Sequence, residues 1–207
     1  SGWTYDVGLS FNYIKEGVCN ISGSATWFDS YVKDWIIWLP TTKGFFSPKN
    51  IKDVHAYGVE LKSANTFYLS KNWRLDLEGT FSWTPSINNG EPMSVADKSV
   101  GKQLPYVPEY VANVSGKITY KTFSFLYKWS YYSERYTMSS NDLSLSGQLP
   151  KYFMSNITIE KILNFSWSDI NIKFNVNNLF NEEYLSVLSR PMPGINFQLF
   201  LGITPKW

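Results

Sequence analysis

The sequence predicts an all-β fold, an antiparallel meander of about nine strands that forms part of a transmembrane β-barrel. Three observations predict it: apolar and polar residues alternate, aromatic residues are abundant, and the connections alternate between short and long. Because successive side chains of a strand point to opposite faces, each alternating segment has one apolar and one polar face. A membrane barrel needs such strands, apolar toward lipid and polar toward its interior.

Composition excludes several other classes of protein. The chain has 207 residues, of which 18% are aromatic and only 17% charged. No run approaches the ~18 consecutive apolar residues that a membrane helix needs. The net charge is +2 without a basic run, which argues against nucleic-acid binding. The single cysteine, Cys19, excludes an internal disulfide framework.

The sharpest strand pattern covers residues 73–83. Trp, Leu, Leu, Gly, Phe and Trp occupy its odd positions, and Arg, Asp, Glu, Thr and Ser its even ones. Similar alternation is present in residues 3–13, 19–27, 57–62, 110–120, 123–131, 153–159, 170–176 and 195–203. The longer segments have about the ten residues that a tilted barrel strand requires.

The connections between these segments alternate in length. Short ones fall near residues 15–17, 69–72, 121 and 163–167, and long ones near 39–52, 84–108, 136–149 and 180–193. Outer-membrane barrels have short turns on the periplasmic side and long loops on the cell surface, whereas a soluble meander has no reason to keep this asymmetry. The last strand, and by alternation the first, should therefore run inward from the surface.

Four stretches resemble the C-terminal part of a TonB-dependent outer-membrane receptor of the vitamin B12 and siderophore type. The two most specific are residues 177–184, Asn-Asn-Leu-Phe-Asn-Glu-Glu-Tyr, and residues 190–197, Arg-Pro-Met-Pro-Gly-Ile-Asn-Phe. Weaker ones are residues 26–36 and 101–108. Two positions depart from the family pattern: Ile195 replaces a common Arg, and the terminal Trp207 replaces the commoner Phe.

The resemblance implies that residues 1–207 are the C-terminal portion of a barrel of about twenty-two strands in the bacterial outer membrane. By the same resemblance, we expect this stretch to lack the N-terminal plug through which such receptors contact the TonB complex. The family's ligands are large scarce nutrients, with cobalamin favoured here and a ferric siderophore next. The expected partners also include membrane lipid, the barrel assembly machinery through Trp207 and a surface lipoprotein. No cofactor is expected, and this stretch alone should not transport.

Seven charged residues take inward positions on the predicted strands. In a receptor they would either contact the plug or a passing solute, or pair with one another to solvate the barrel interior, and we favour the second interpretation. They are Arg74, Asp76, Glu78, Lys117, Lys128, Glu160 and Lys173.

Aromatic residues near the strand ends predict the two membrane interfaces, since Trp and Tyr favour an apolar body with a wet tip. The set near the short turns is Trp73, Tyr120, Phe123, Trp167 and Trp207, and the set near the long loops is Trp83 and Tyr131. The alternative is core packing in a soluble sandwich.

The long connections carry candidate ligand-binding residues, because loops on a rigid scaffold concentrate binding function. These are Trp35, Trp38, Phe45, Phe46, Tyr106, Tyr136, Met138, Arg190 and Met192. They could hold a large ligand such as a corrin or a siderophore, or they could pack the loops on each other.

Catalytic and metal-binding patterns are missing from the sequence. His55 is the only histidine, and together with Cys19 it offers no metal-ligand spacing. An enzyme is therefore not expected. Two other functions remain open: a soluble carbohydrate-binding β-sandwich, suggested by the aromatic content, and a passive outer-membrane porin.

Overall fold

The computed structural model describes residues 1–40, 45–92, 95 and 97–206. All regular secondary structure in these ranges is β-strand. The described residues include no helix of the length and apolarity needed to cross a membrane.

Nine strands form one continuous antiparallel sheet, in which each strand pairs with the next of the nine along the chain. They are β1 (Gly2–Lys15), β2 (Cys19–Pro40), β3 (Phe46–Tyr68), β4 (Trp73–Trp83), β6 (Tyr110–Tyr120), β7 (Phe123–Tyr132), β10 (Tyr152–Asn164), β11 (Ser168–Asn177) and β14 (Asn196–Pro205). The predicted nine-stranded meander is therefore confirmed.

Five short strands lie in the connections. They are β5 (Ser86–Asn88), β8 (Arg135–Tyr136), β9 (Gln148–Leu149), β12 (Leu185–Val187) and β13 (Arg190–Pro191). β5 extends the main sheet by pairing with β3, while β8 pairs with β9 and β12 with β13.

The pairing register puts the alternating residues on two distinct faces. One row across the sheet runs through Leu75, Ile118, Phe125, Ile159, Phe174 and Leu199. The neighbouring row runs through Thr66, Asp76, Lys117, Leu126, Thr158, Asn175 and Gln198. Directly paired residues share a face, so the first row defines the apolar face and the second the polar face.

The apolar face packs against no second layer in the described part of the chain. Leu9 is 79% exposed and Leu199 is 65% exposed, and the buried hydrophobic residues are few and scattered. A soluble sandwich would bury such a face in a core about 10 Å thick. An apolar surface of this extent needs an apolar solvent or partner.

The two ends of the sheet differ as the sequence predicts. At one end the connections are only three, four, two and three residues long, at 16–18, 69–72, 121–122 and 165–167. The first uses Gly17 at φ 69° and the third Lys121 at φ 52°, left-handed conformations that tight hairpin turns require. At the other end lie three long connections, residues 84–109, 133–151 and 178–195, which we name cap loops 1, 2 and 3.

One predicted loop is wrong. Residues 39–52 are not a long connection, because β2 and β3 remain paired as far as Pro40 and Phe46. Beyond Lys33 and Asp53 no other described strand pairs with this hairpin, so it forms a two-stranded ribbon whose two edges no described strand covers. Prolines are tolerated on such edges, which is why Pro48 can lie within β3, while Pro40 is the last residue of β2.

Candidate functional site

Charged residues of the polar face form a network centred on Glu160. Its carboxylate accepts hydrogen bonds from Asn171 Nδ2 at 2.8 Å and from Ser124 Oγ at 3.4 Å. The ammonium groups of Lys173 and Lys117 lie 3.6 and 3.9 Å from the same carboxylate. Four strands, β6, β7, β10 and β11, are thus linked through one half-buried side chain.

A second cluster lies further along the same face. Arg74 Nε donates to Asp76 at 2.9 Å, and Thr66 Oγ1 donates to the other oxygen of that carboxylate at 2.8 Å. Glu78 and Lys128 line a cleft of about 380 Å³ beside this pair. All seven charged residues chosen from the sequence therefore lie on one face, and five of them form ion pairs; whether they also contact a plug or a solute stays a prediction.

Cap loop 1 folds over the polar face at the end opposite the short turns. Leu104 and Val54 are each 3% exposed and pack together, with Val107 beside them. Val54 lies on the polar face, so this contact places the loop on the polar side of the sheet rather than on the apolar side.

Cap loops 1 and 2 are joined by hydrogen bonds, three of which involve Asn141 and Tyr136. The side chain of Asn141 accepts from the backbone N–H of Gln103 at 2.8 Å and donates to its carbonyl at 2.9 Å. The N–H of Tyr106 donates to the carbonyl of Tyr136 at 2.7 Å. Two of the predicted ligand residues, Tyr106 and Tyr136, therefore meet at this junction, where burial raises the pKa of the Tyr106 phenol.

Cap loop 3 is organised by the two asparagines of residues 177–184 that have positive φ. Asn178, at φ 52°, is 1% exposed; its side chain donates to the carbonyls of Glu182 and Pro193 and accepts from the N–H of Glu182. Asn181, at φ 53°, accepts from the N–H of Ile195 at 2.9 Å. Asparagine tolerates this conformation and bonds nearby backbone, so the motif is first of all a loop-folding device.

Arg135 connects cap loop 2 to cap loop 3. Its Nη2 donates to the carbonyl of Leu185 at 2.8 Å, and its guanidinium carbon lies 5.0 Å from the ring centre of Tyr152. Tyr184 of cap loop 3 also packs on Tyr152, with ring centres 4.7 Å apart. Arg135 is not among the residues predicted from the sequence, because nothing in its local pattern distinguishes it from an exposed loop arginine.

The other predicted ligand residues are dispersed. Trp35, Trp38 and Phe46 lie in the strands of the long hairpin, which corrects their assignment to a loop, and Phe45 lies exposed just before β3. Met138 is exposed in cap loop 2, and Arg190 is exposed in β13. Met192 accepts from Ser186 Oγ at 3.0 Å and borders a cavity of about 570 Å³ with Tyr184 and Pro191.

Aromatic residues lie in rows at both ends of the sheet. At the short-turn end, Trp73 and Tyr120 have ring centres 4.6 Å apart, Phe123 pairs with Tyr120, and Trp167 stacks on Phe165. At the other end, Trp83 Nε1 donates to Glu109 at 3.0 Å, and Tyr131 packs against Phe153. Trp207 lies outside the described residues. Such rows are typical of the two interfaces of a membrane barrel.

His55 contacts one acidic side chain and two aromatic rings. It lies within β3 and bonds Asp29 at 2.7 Å, and its other neighbours are the rings of Tyr31 and Tyr57. Nowhere in the described ranges do three or more histidine, cysteine, aspartate or glutamate side chains come together.

A single-layer sheet with an uncovered apolar face, a charged face, aromatic rows at both ends and loops at one end defines part of an outer-membrane β-barrel. A sequence model of the family described as TonB dependent receptor-like, beta-barrel matches residues 1–179. The chain belongs to this family of outer-membrane receptors.

Solved structures of receptors share the fold. The copper transporter OprC superposes with a TM-score of 0.65 at 15% identity, over 99% of this chain and 31% of its own. The siderophore receptor PiuA from Acinetobacter baumannii gives 0.65 at 17% identity, over 97% and 28%. The ferric citrate transporter FecA gives 0.70 at 12% identity, over 99% and 31%. The chain therefore spans less than a third of each of these proteins. No curated protein sequence matches it significantly.

Proposed function

We propose that this chain is the C-terminal wall of a TonB-dependent transporter that binds a large, scarce nutrient at the cell surface and moves it inward. The observation that carries the proposal is the joined set of cap loops. All three fold toward the polar face at one end of the sheet and are bonded to one another. Such loops form a vestibule above the barrel interior, where a ligand is held before it passes.

The topology supports the proposal that other strands complete the barrel. With nine strands in antiparallel order, β1 and β14 run in the same direction and cannot pair with each other in an antiparallel barrel. Two copies related by rotation about the membrane normal meet the same obstacle. Sheet edges in lipid must be paired, so the barrel must close. If every pair is antiparallel, closure needs an even total and therefore an odd number of strands in addition to these nine.

The ligand that we favour is a chelated metal ion, above all a ferric siderophore. The support is that solved receptors of similar fold are a siderophore receptor, a ferric citrate transporter and a copper transporter. Cobalamin remains the second candidate and rests on the motif resemblance alone. Energy would come from TonB through the plug, and assembly would use the terminal Trp207. A surface lipoprotein is a further proposed partner.

Binding to the full receptor tests this proposal. Purified receptor in lipid nanodiscs is titrated with ferric catecholate, ferric hydroxamate, ferric citrate, a copper chelate and cobalamin. We expect one metal chelate to bind with a dissociation constant of about 1 μM or lower, equivalent to roughly 8 kcal/mol. Cellular uptake of that chelate should stop when TonB is deleted. Uptake that continues without TonB, together with open-channel conductance, would instead identify a passive porin.

A further inference from the structure

Arg135 is a buried cation that has no acidic partner among the described residues. The residue is 5% exposed, and none of the ion pairs in the described part of the chain includes it. Its Nε–H has no hydrogen-bond partner among the described residues. Burying an unpaired charge is unfavourable, so the contacts that retain the guanidinium must offset its lost hydration.

Those contacts connect two loops and the polar face. Arg135 lies at the start of β8 in cap loop 2, where it pairs with Leu149, a residue only 1% exposed. The guanidinium reaches across to the carbonyl of Leu185 in β12 of cap loop 3 and covers the ring of Tyr152. Tyr152 is itself stacked on Tyr132, with ring centres 5.0 Å apart.

We propose that Arg135 is a positioning residue that clamps cap loop 3 to cap loop 2, so that the two loops move as one unit. Cap loop 3 has other attachments as well. Asparagine bonds lie near its two ends, between Asn178 and residues 156, 182 and 193 and between Asn181 and Ile195, the Leu179 N–H donates to the Ser155 carbonyl, and β12 contacts β9. In the middle of the loop, residues 183–192, the Arg135 hydrogen bond and the packing of Tyr184 on Tyr152 reinforce the contact of β12 with β9. The clamp itself does not rest on the proposed transport function; its effect on a ligand does.

Arginine is suited to this position for a physical reason. A planar guanidinium can donate from its edge to a carbonyl while its face lies on an aromatic ring. Lysine has a compact ammonium that can satisfy one of these contacts but not both in the same geometry. Methionine fills a similar volume but can satisfy neither.

Hydrogen exchange of the full receptor tests the clamp without any ligand. We compare wild type with Arg135→Met, Arg135→Lys and the control Lys151→Met, which removes an exposed positive charge next to Tyr152. Exchange of residues 183–192 should rise about tenfold in Arg135→Met, the expected effect of losing a charged hydrogen bond and a ring contact. Exchange of these residues in Arg135→Lys should fall between that of wild type and that of Arg135→Met, and exchange in Lys151→Met should match wild type.

The pattern of exchange separates a clamp from general loosening. Cap loop 1, which is held by Val54 and Asn141, and strands β10 and β11 should keep their protection. Equal loosening of all three loops, or exchange of residues 183–192 within twofold of wild type, would overturn the proposal. If Arg135→Met does not fold, Arg135→Lys decides by the same comparison.

Ligand affinity gives the second readout. If a ferric chelate binds the wild type, its affinity should fall in Arg135→Met and partly recover in Arg135→Lys while strand protection stays unchanged. If no chelate binds but the exchange pattern is as expected, the proposed transport function fails and the clamp stands. Unchanged affinity with unchanged exchange contradicts the clamp alone.

Discussion

Asn178 and Glu182 form a closed ring: the Asn178 side chain accepts from the Glu182 N–H at 2.7 Å and donates to the Glu182 carbonyl at 2.9 Å. The ring folds the chain back at the point where β11 leaves the sheet. It also brings Asn178 within 3.4 Å of the Pro193 carbonyl, so one side chain joins both halves of cap loop 3. Cap loop 3 is therefore set by hydrogen bonds from a side chain to the backbone as well as by side-chain packing.

Replacement of the Asn178 side chain should loosen cap loop 3. Asn178→Ala removes three hydrogen bonds from a buried site and leaves backbone groups unpaired, which should cost about 2–4 kcal/mol of local stability. Limited proteolysis of the full receptor should then cut within residues 179–194. The control Asn164→Ala, which loses one exposed bond to Asp169 at a short turn, should leave the loop resistant. Equal resistance of both variants would contradict the role of Asn178.

Neutralising Glu160 should weaken the polar face. Glu160→Gln leaves Lys117 and Lys173 without their carboxylate, and we expect a loss of about 1–2 kcal/mol in the free energy of unfolding. Guanidinium unfolding of the receptor in lipid vesicles measures this change. Glu78→Gln is the matched control, because Glu78 belongs to none of the ion pairs among the described residues. A larger effect of Glu78→Gln would show that pairing does not stabilise the face.

A charge on the apolar face should be costly in lipid. Leu77 lies near the middle of β4 and is 39% exposed, so Leu77→Arg should lower stability by about 2–4 kcal/mol if the side chain faces hydrocarbon. Thr80→Arg puts the same charge on the polar face of the same strand and should cost much less. Vesicle refolding yields and unfolding midpoints compare the two variants. Equal tolerance of both would place water, not lipid, against Leu77.

The aromatic row at the short-turn end should show pairwise coupling. Trp73 and Tyr120 are directly opposite each other on neighbouring strands and their rings touch. A double-mutant cycle to alanine should give a coupling energy of about 0.5–1.5 kcal/mol. Trp73 and Trp83, at opposite ends of β4, provide a control pair whose effects should add. Additivity of the first pair as well would mean that the ring contact contributes nothing.

The strands could be predicted from the sequence because their signal is local. Alternation in residues 73–83 assigns each side chain to a face without knowledge of any neighbour, and the same is true of residues 110–120 and 170–176. The long hairpin could not be predicted, because prolines such as Pro40 and Pro48 ordinarily mark a loop or the end of a strand. Their tolerance depends on free strand edges, which only the paired structure reveals.

The candidate site was less predictable for a related reason. Its seven charged residues follow from alternation, but their partners depend on register across strands, as in the contact of Glu160 with Lys117 two strands away. Arg135 and Asn178 act on backbone atoms up to 50 residues distant in sequence, and such contacts carry no local pattern. The motif around Asn178 could be recognised, but its role as a loop-folding device required the hydrogen bonds.

Spin-label accessibility along β4 tests most directly whether one face of this sheet lies in lipid. Single cysteines are introduced at residues 73–83 of the full receptor, with Cys19 replaced by serine, and labelled receptor is reconstituted in bilayers. Accessibility to oxygen, which concentrates in hydrocarbon, should peak at the odd positions and fall at the even ones. A flat profile, or oxygen maxima at residues 74, 76, 78, 80 and 82, would contradict the assignment of the faces.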